Sequence, residues 1–342
     1  MEVVERNKIK RFVMQSALKI IEQYKGTVDA ELERHLPRNG EPSEFYASVW
    51  ELLDRGGKRF RPGLTFLACE SVGGRREEAV SAAAAVELLH NMTLIHDDIE
   101  DESELRRGKS CIHRIYGIPT AINAGDAMLI KVFEIANSSM ISFDRCNRLV
   151  NLIAKRAYDI TWGQAFEFNL WKRTKFGEDD VIRLLRSKTG ALTGLATEAG
   201  AIAAGADKTQ VRALGDFGET IGIAFQIVDD LLNVVGQEKE YGKEIGGDIR
   251  EGKKTILAAH LLSVADPADK KTFVRLLGKD TIKKVEIKRV IRLYRKYGCM
   301  DYAKSRAEFY LQEALKNLDI LPSTEARDNL ALVAKFLISR SY

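Results

Sequence analysis

Apolar residues recur close to every 3.6 positions along almost the whole of this chain, and the two-residue alternation of a half-buried strand is nearly absent. That pattern confines the fold to helices packed on helices. Apolar spacing predicts helices over 8–24, 42–53, 62–72, 77–102, 120–140, 145–171, 178–203, 208–236, 254–264, 284–296, 300–317 and 324–340. Only six prolines occur, as expected where long helix interiors must not be interrupted. Two of the predicted helices carry runs of small residues, SAAAAVELLH at 81–90 and TGLATEAGAIAAGA at 193–206. Small side chains let backbones approach closely, so these helices are expected at the centre of the protein. The fold class is all-α, with long and mostly antiparallel helices.

A length of 342 residues would allow two domains, yet no Ser/Gly-rich or Pro-rich run marks a linker, and a single domain over 1–342 is expected. The formal charge of +4 is too small to argue for a nucleic-acid partner. Cys69, Cys111, Cys146 and Cys299 lie far apart with no CxxC pair, so they suggest neither a zinc site nor a disulfide framework, but buried thiols in a reducing compartment. The first residues alternate charge with apolar side chains and lack the uninterrupted apolar run of a signal peptide. No stretch approaches the ~18 apolar residues of a membrane span. A cytoplasmic location is expected.

Against that background the stretch HDDIEDESELRRGK at 96–109 is anomalous: six carboxylates fall within the eight positions 97–104 and three cations follow at once. The apolar pattern of the preceding helix runs straight into it, so His90, Thr93, Asp97 and Asp101 share one helical stripe. Carboxylates four apart on a helix stand ~6 Å from each other, and at an effective dielectric of ~20 repel by roughly 2–3 kcal/mol. Carboxylate oxygens without His or Cys partners suit a hard cation, and Mg²⁺ is commonly held by one or two carboxylates together with substrate phosphates.

A second acidic pair, Asp229-Asp230, interrupts the apolar run FQIVDDLLNVVG, with Gln226 one turn before and Asn233 one turn after. Adjacent acids in an apolar stretch are costly unless paired or metal-bound. Two helices with the same feature suggest two walls of one cavity. Cationic clusters at GGKRFRP (56–62), RRGK (106–109), KTG (188–190) and GKEIGGDIREGKK (242–254) then read as phosphate ligands.

Together GGKRFRP, LLHNMTLIHDDIEDESELRRGK, GQAFEF, KTG, FQIVDDLLNVVG and GKEIGGDIREGKKT resemble, in order and spacing, the trans-isoprenyl diphosphate synthases of the polyprenyl synthetase family, in their archaeal style. The resemblance covers about residues 45–260. It implies an all-α isoprenoid synthase fold around a deep central cavity, a homodimer, and three Mg²⁺ ions bridging an allylic diphosphate to the acidic motifs. Carried over residue by residue, it makes Asp97, Asp101 and Asp229 metal ligands, with Asp98 and Asp230 in support. Arg106, Lys188, Lys243 and Lys253 match positions that grip the allylic diphosphate; Lys58, Arg61, His90 and Arg107 match those that bind isopentenyl diphosphate. Thr189 and Gln226 match residues facing the allylic cation. One departure is visible: the second acidic motif usually ends in a third Asp, and this chain has Asn233.

The activity implied is condensation of isopentenyl diphosphate with dimethylallyl, geranyl or farnesyl diphosphate. In the family an aromatic residue four or five positions before the first motif stops chain growth early. Those positions here hold Thr93 and Met92, with Leu89 one turn deeper, and none is aromatic. The expected product is geranylgeranyl diphosphate (C20), with C25 or longer as the alternative. A class I terpene cyclase would not need Lys58, Arg61 and His90 for a second diphosphate. A non-catalytic partner subunit would be expected to lose acidic motifs, and a squalene-synthase-like enzyme would carry different ones.

Overall fold

The computed structural model describes residues 13–236, 245–279 and 281–339. The chain forms two compact units, one of Met1–Ala157, Leu192–Gly215 and Leu318–Leu332, the other of Tyr158–Ala191, Asp216–Asn317 and Val333–Tyr342. The expected all-α class is what the described residues adopt.

In the first unit, a helical segment over 13–22 precedes α1 (Lys25–His35), α2 (Ser43–Asp54), α3 (Phe60–Ser71) and α4 (Val80–Glu100). A short helix, Ile112–Tyr116, leads into α5 (Ile118–Asn137), and α6 (Phe143–Trp171) begins here. Helix α4 is central, packed by α5, α3 and α1. Its alanines 82–85 are fully buried, which is the close packing that their size permits. Helix α8 (Ala191–Ala204) shows the same device more sharply: a Cβ on Gly200 would lie 2.1 Å from the Thr65 carbonyl oxygen, so only glycine lets α8 approach α3.

Among the described residues the one piece of sheet is a two-stranded hairpin, β1 (Leu105–Arg106) with β2 (Lys109–Ser110), pairing Leu105 with Ser110 and Arg106 with Lys109. Its turn residues Arg107 and Gly108 both have positive φ, 52° and 76°, as a tight two-residue hairpin turn demands.

In the second unit, α7 (Glu178–Leu185) runs into a π turn at Arg186–Gly190 before α8. Helix α9 (Lys208–Val235) carries the second acidic pair, and a short helix, Gly247–Glu251, follows. Then come α10 (Ile256–Val264), α11 (Pro267–Leu276), α12 (Lys284–Lys296) and α13 (Cys299–Lys316). The last helix is α14 (Glu325–Ile338). Thr255 and Asp266 cap α10 and α11 by accepting the Ala258 and Asp269 backbone N–H groups.

Among the described residues, two of the numbered helices, α1 and α11, escape prediction from apolar spacing, as do the short helices Ile112–Tyr116 and Gly247–Glu251. Helix α1 buries only Val28, Glu31 and Leu32, and α11 only Phe273 and Leu276. Two apolar contacts are too few to set a period. The four cysteines are buried free thiols, as expected. Among the described residues no helix is long and apolar enough to cross a membrane.

Candidate active site

In the first unit the acidic motif lies where α4 ends. Asp97 is half-buried, and Asp101 is exposed as the C-cap residue, its N–H bonded to the Asp97 carbonyl. Carboxylates at a helix C-terminus meet the negative end of the macrodipole, which adds to their mutual repulsion and strengthens the demand for a cation. Asp98, by contrast, is buried and takes a 2.8 Å hydrogen bond from Arg106 Nε. The middle acid of the motif thus ties α4 to the hairpin.

The hairpin is held in turn by α2. Arg55 donates to the carbonyls of Arg106 and Ser110 at 3.0 and 2.8 Å, and Arg107 donates to the Gly56 carbonyl. The loop GGKRFRP is anchored by a residue that motif reading passed over. Arg59, in the left-handed region at φ 49°, buries its guanidinium between Asp29 and Glu87, each at 2.8 Å. Glu87 is itself buried and accepts from Asn91 Nδ2 at 3.0 Å. The only available signal was Glu87 itself, a lone acid inside the alanine-rich run.

With Arg59 so fixed, Lys58 is exposed and Arg61 reaches His90, Nη1 to Nε2 at 3.3 Å. A guanidinium can only donate, so Nε2 must accept, and His90 is neutral with its proton on Nδ1. Burial, followed by the charges of Arg61, Arg107, Arg106 and Arg59, holds the His90 pKa well below the usual imidazole range. Burial also pulls Arg61 down to about 10. Arg61 Nε and His90 Nδ1 are both buried and have no hydrogen-bond partner among the described residues. Upstream on α4, Leu89 is fully buried, Met92 is 8% exposed, and Thr93 is half-buried with its hydroxyl bonded to the His90 carbonyl.

In the second unit, Lys188 and Thr189 sit in the π turn, where the Ala191 N–H reaches back to the Arg186 carbonyl. Lys188 Nζ pairs with Glu167, of the GQAFEF motif on α6, at 2.7 Å. Thr189 Oγ1 donates to Gln226 Oε1, and Gln226 Nε2 donates to Asp230 Oδ1, both at 3.0 Å. This relay links the π turn to the acidic pair on α9. Gly163 makes room for it: a Cβ there would lie 2.7 Å from Ser187 Oγ and 3.0 Å from the Ser187 carbonyl carbon. Burial, then the neighbouring Asp248, raises the Asp230 pKa well above the usual carboxylate range.

Asn233 is buried, and its Oδ1 accepts the Asp248 backbone N–H at 3.1 Å. The departure from the third Asp therefore holds the GGD turn without adding charge. Lys253 pairs with Glu251 at 2.7 Å and Asp248 at 3.4 Å. Lys243 lies outside the described residues.

No group of three or more His, Cys, Asp or Glu side chains among the described residues is arranged to hold a metal by itself. The donor set is hard carboxylate oxygen without a closed cage. It fits Mg²⁺, which keeps waters and takes one or two carboxylates along with substrate phosphates, and it does not fit a self-contained structural ion.

The profile of the family described as Polyprenyl synthetase matches residues 42–294. The geranylgeranyl pyrophosphate synthase of Geoglobus acetivorans is 36% identical over 323 residues, 94% of this chain and 99% of that protein. The geranylfarnesyl diphosphate synthase of Aeropyrum pernix is 34% identical over 306 residues, 87% of this chain and 95% of its own length. The crystal structure of geranylgeranyl pyrophosphate synthetase from Pyrococcus horikoshii Ot3 superposes with a TM-score of 0.91 at 36% identity, covering 95% of this chain and 99% of that one.

Proposed function

The chain belongs to the polyprenyl synthetase family and is a trans-prenyl diphosphate synthase, and from that premise we propose that its product is all-trans geranylgeranyl diphosphate, built from isopentenyl and allylic diphosphates. One observation carries the assignment of the isopentenyl diphosphate site. Arg61 Nε and His90 Nδ1 are buried donors left without partners in a unit where the neighbouring Arg59 and Arg106 are paired with carboxylates. Buried donors without acceptors cost about 1–3 kcal/mol each, a cost that a diphosphate oxygen removes. Lys58 and Arg107 complete that pocket. Arg106, Lys188 and Lys253, with Lys243, take the allylic diphosphate.

The electrophile forms when the allylic carbon–oxygen bond breaks, so the chain needs no Ser–His or Cys–His pair. Asp97, Asp101 and Asp229 are the residues that would hold Mg²⁺, and the ion would supply positive charge to the departing diphosphate. Asp98 and Asp230 orient the neighbouring ligands through Arg106 and Gln226. The Thr189 and Gln226 oxygens are dipoles set to face the allylic cation, which the isopentenyl double bond attacks before a proton leaves to diphosphate. The residues that hold both substrates in register contribute through positioning.

The C20 assignment is supported by the absence of an aromatic at positions 92 and 93 and by the packed side chain of Leu89 beneath them. Exposed apolar residues on α5 and at the start of α6, Ile118, Ile122, Ile130 and Phe143, the last 86% exposed, suit a homodimer interface. Chromatography of dephosphorylated products from farnesyl and isopentenyl diphosphates tests the length: geranylgeraniol should dominate, and a C25 alcohol in its place refutes it.

A further inference from the structure

Residues 270–296 hold eleven Lys and Arg against two Asp and Glu, a net +9 in a chain whose total is +4, so the rest of the molecule carries −5. This concentration is hidden by the overall charge, because no two cations stand in a run longer than a pair. Helix α12 sorts them. Ile287, Val290, Leu293 and Tyr294 are its buried face. Lys284, Lys288, Arg289, Arg292, Arg295 and Lys296 are all exposed. At 100° per residue those six occupy an arc of about 140° opposite the buried face. Helix α11 packs beside α12 and adds exposed Lys271 and Arg275.

Structural pairing does not explain the face. Lys279 is matched by Glu286, and Lys296 by Asp266 and Asp269. Lys284, Lys288, Arg289, Arg292 and Arg295 have no carboxylate within ion-pair distance among the described residues. Five like charges on one face repel one another, so the arrangement gains most from an extended anionic surface. The apolar residues exposed among them are aliphatic: Val285 is 63% exposed and Val274 39%, whereas Phe273 and Tyr294 are buried. Nucleic-acid surfaces interleave cations with aromatic rings that stack on bases. The ring at hand is Tyr297, beneath Lys296, which is half-buried with its hydroxyl bonded to Asp266 and Asp269 and so is not presented for stacking. Cations over short aliphatic side chains match the anionic headgroup layer of a membrane. The family's activity points the same way, since its product is an amphiphile whose prenyl tail is at home in lipid.

We propose that the basic face of α11 and α12 docks the protein reversibly on anionic lipid surfaces, so that prenyl diphosphate is released beside the bilayer. The contact is electrostatic and shallow, without insertion of a helix. The test is flotation of the full chain with vesicles of phosphatidylglycerol and phosphatidylcholine, or of phosphatidylcholine alone, at ~0.1 M salt. The parent should float with the anionic vesicles only and be released at ~1 M salt. Each cation near such a surface is worth roughly fivefold in partition, so Lys284→Glu/Lys288→Glu/Arg292→Glu should weaken it at least about a hundredfold. Lys271→Glu/Arg275→Glu, on the neighbouring helix, should weaken it by about twenty-fivefold and serves if the triple variant fails to fold. Both variants should retain the parent's turnover with water-soluble primers, since none of these residues touches substrate. Equal flotation with neutral vesicles, unchanged flotation of the folded variants, or tighter binding per phosphate to duplex DNA or RNA than to the anionic vesicles would each overturn the proposal.

Discussion

At the scale of the residue, Arg61 and His90 form a pair in which the guanidinium donates to a neutral ring, leaving one donor on each aimed away from the other. If those donors meet isopentenyl diphosphate, Arg61→Ala and His90→Ala should raise KM for that substrate far more than for the allylic one. A hydrogen bond to a charged group is worth about 1.5–3 kcal/mol, roughly one to two decades. Steady-state kinetics with each substrate varied in turn reads the difference, and equal effects on both would assign the pair elsewhere. The same ring makes a pH prediction. Its folded pKa is depressed, chiefly by burial, below the ~6.5 of an unfolded chain. Below about pH 6.5 the unfolded state takes a proton that the folded state refuses, so stability falls as pH drops from there towards the folded pKa. An NMR titration should find the His90 ring still neutral at pH 6, and His90→Gln should lessen the loss of stability on acidification. A ring that titrates at its ordinary value would refute the neutral assignment.

At the scale of the element, the loop before α3 depends on one buried ion pair. Arg59 and Glu87 are both 3% exposed, and deleting one partner of such a pair leaves the other charge buried, at about 3–5 kcal/mol. Arg59→Ala should lower unfolding free energy by that amount in urea melts, whereas Lys58→Ala, on the exposed neighbour, should change it by less than ~0.5 kcal/mol. Helix α4 carries the chain-length prediction. Met92 is a flexible thioether and Leu89 a fully buried side chain one turn deeper. Met92→Phe should shorten the product, chiefly to C15, and Met92→Ala should lengthen it by one or more C5 units, as read by chromatography. Should both Met92 variants keep the parent distribution while Leu89→Ala lengthens it, the floor lies at Leu89.

At the scale of the whole molecule, catalysis should require a divalent cation. Chelation with EDTA should abolish turnover while leaving the circular dichroism spectrum intact, and Asp97→Ala and Asp229→Ala should each lower kcat by about two decades or more. Unchanged turnover in either variant would remove that residue from the metal's ligands. Much of the molecule was legible in the sequence because burial and chemistry coincide there. The alanine run of α4 announces a buried helix, and the acids that interrupt apolar runs announce themselves by their cost. What stayed hidden is set by backbone detail. The apolar spacing of 178–203 continues smoothly through the turn at Arg186–Gly190, so one helix was expected where three segments exist. Arg59 looked like its cationic neighbours because only the fold decides which of three is buried, and Asn233 looked like a lost charge because its bond to the Asp248 N–H joins residues fifteen positions apart. The π turn has a consequence for the gene. It holds one residue more than a regular helix needs for the same turn. Removing the codon for Ser187 should let α7 run into α8 as one ordinary helix, with both flanks keeping the faces they already bury. The shortened protein would fold and melt like its parent, yet Thr189 would be turned away from Gln226, so that a single codon separates the ability to fold from the ability to catalyse.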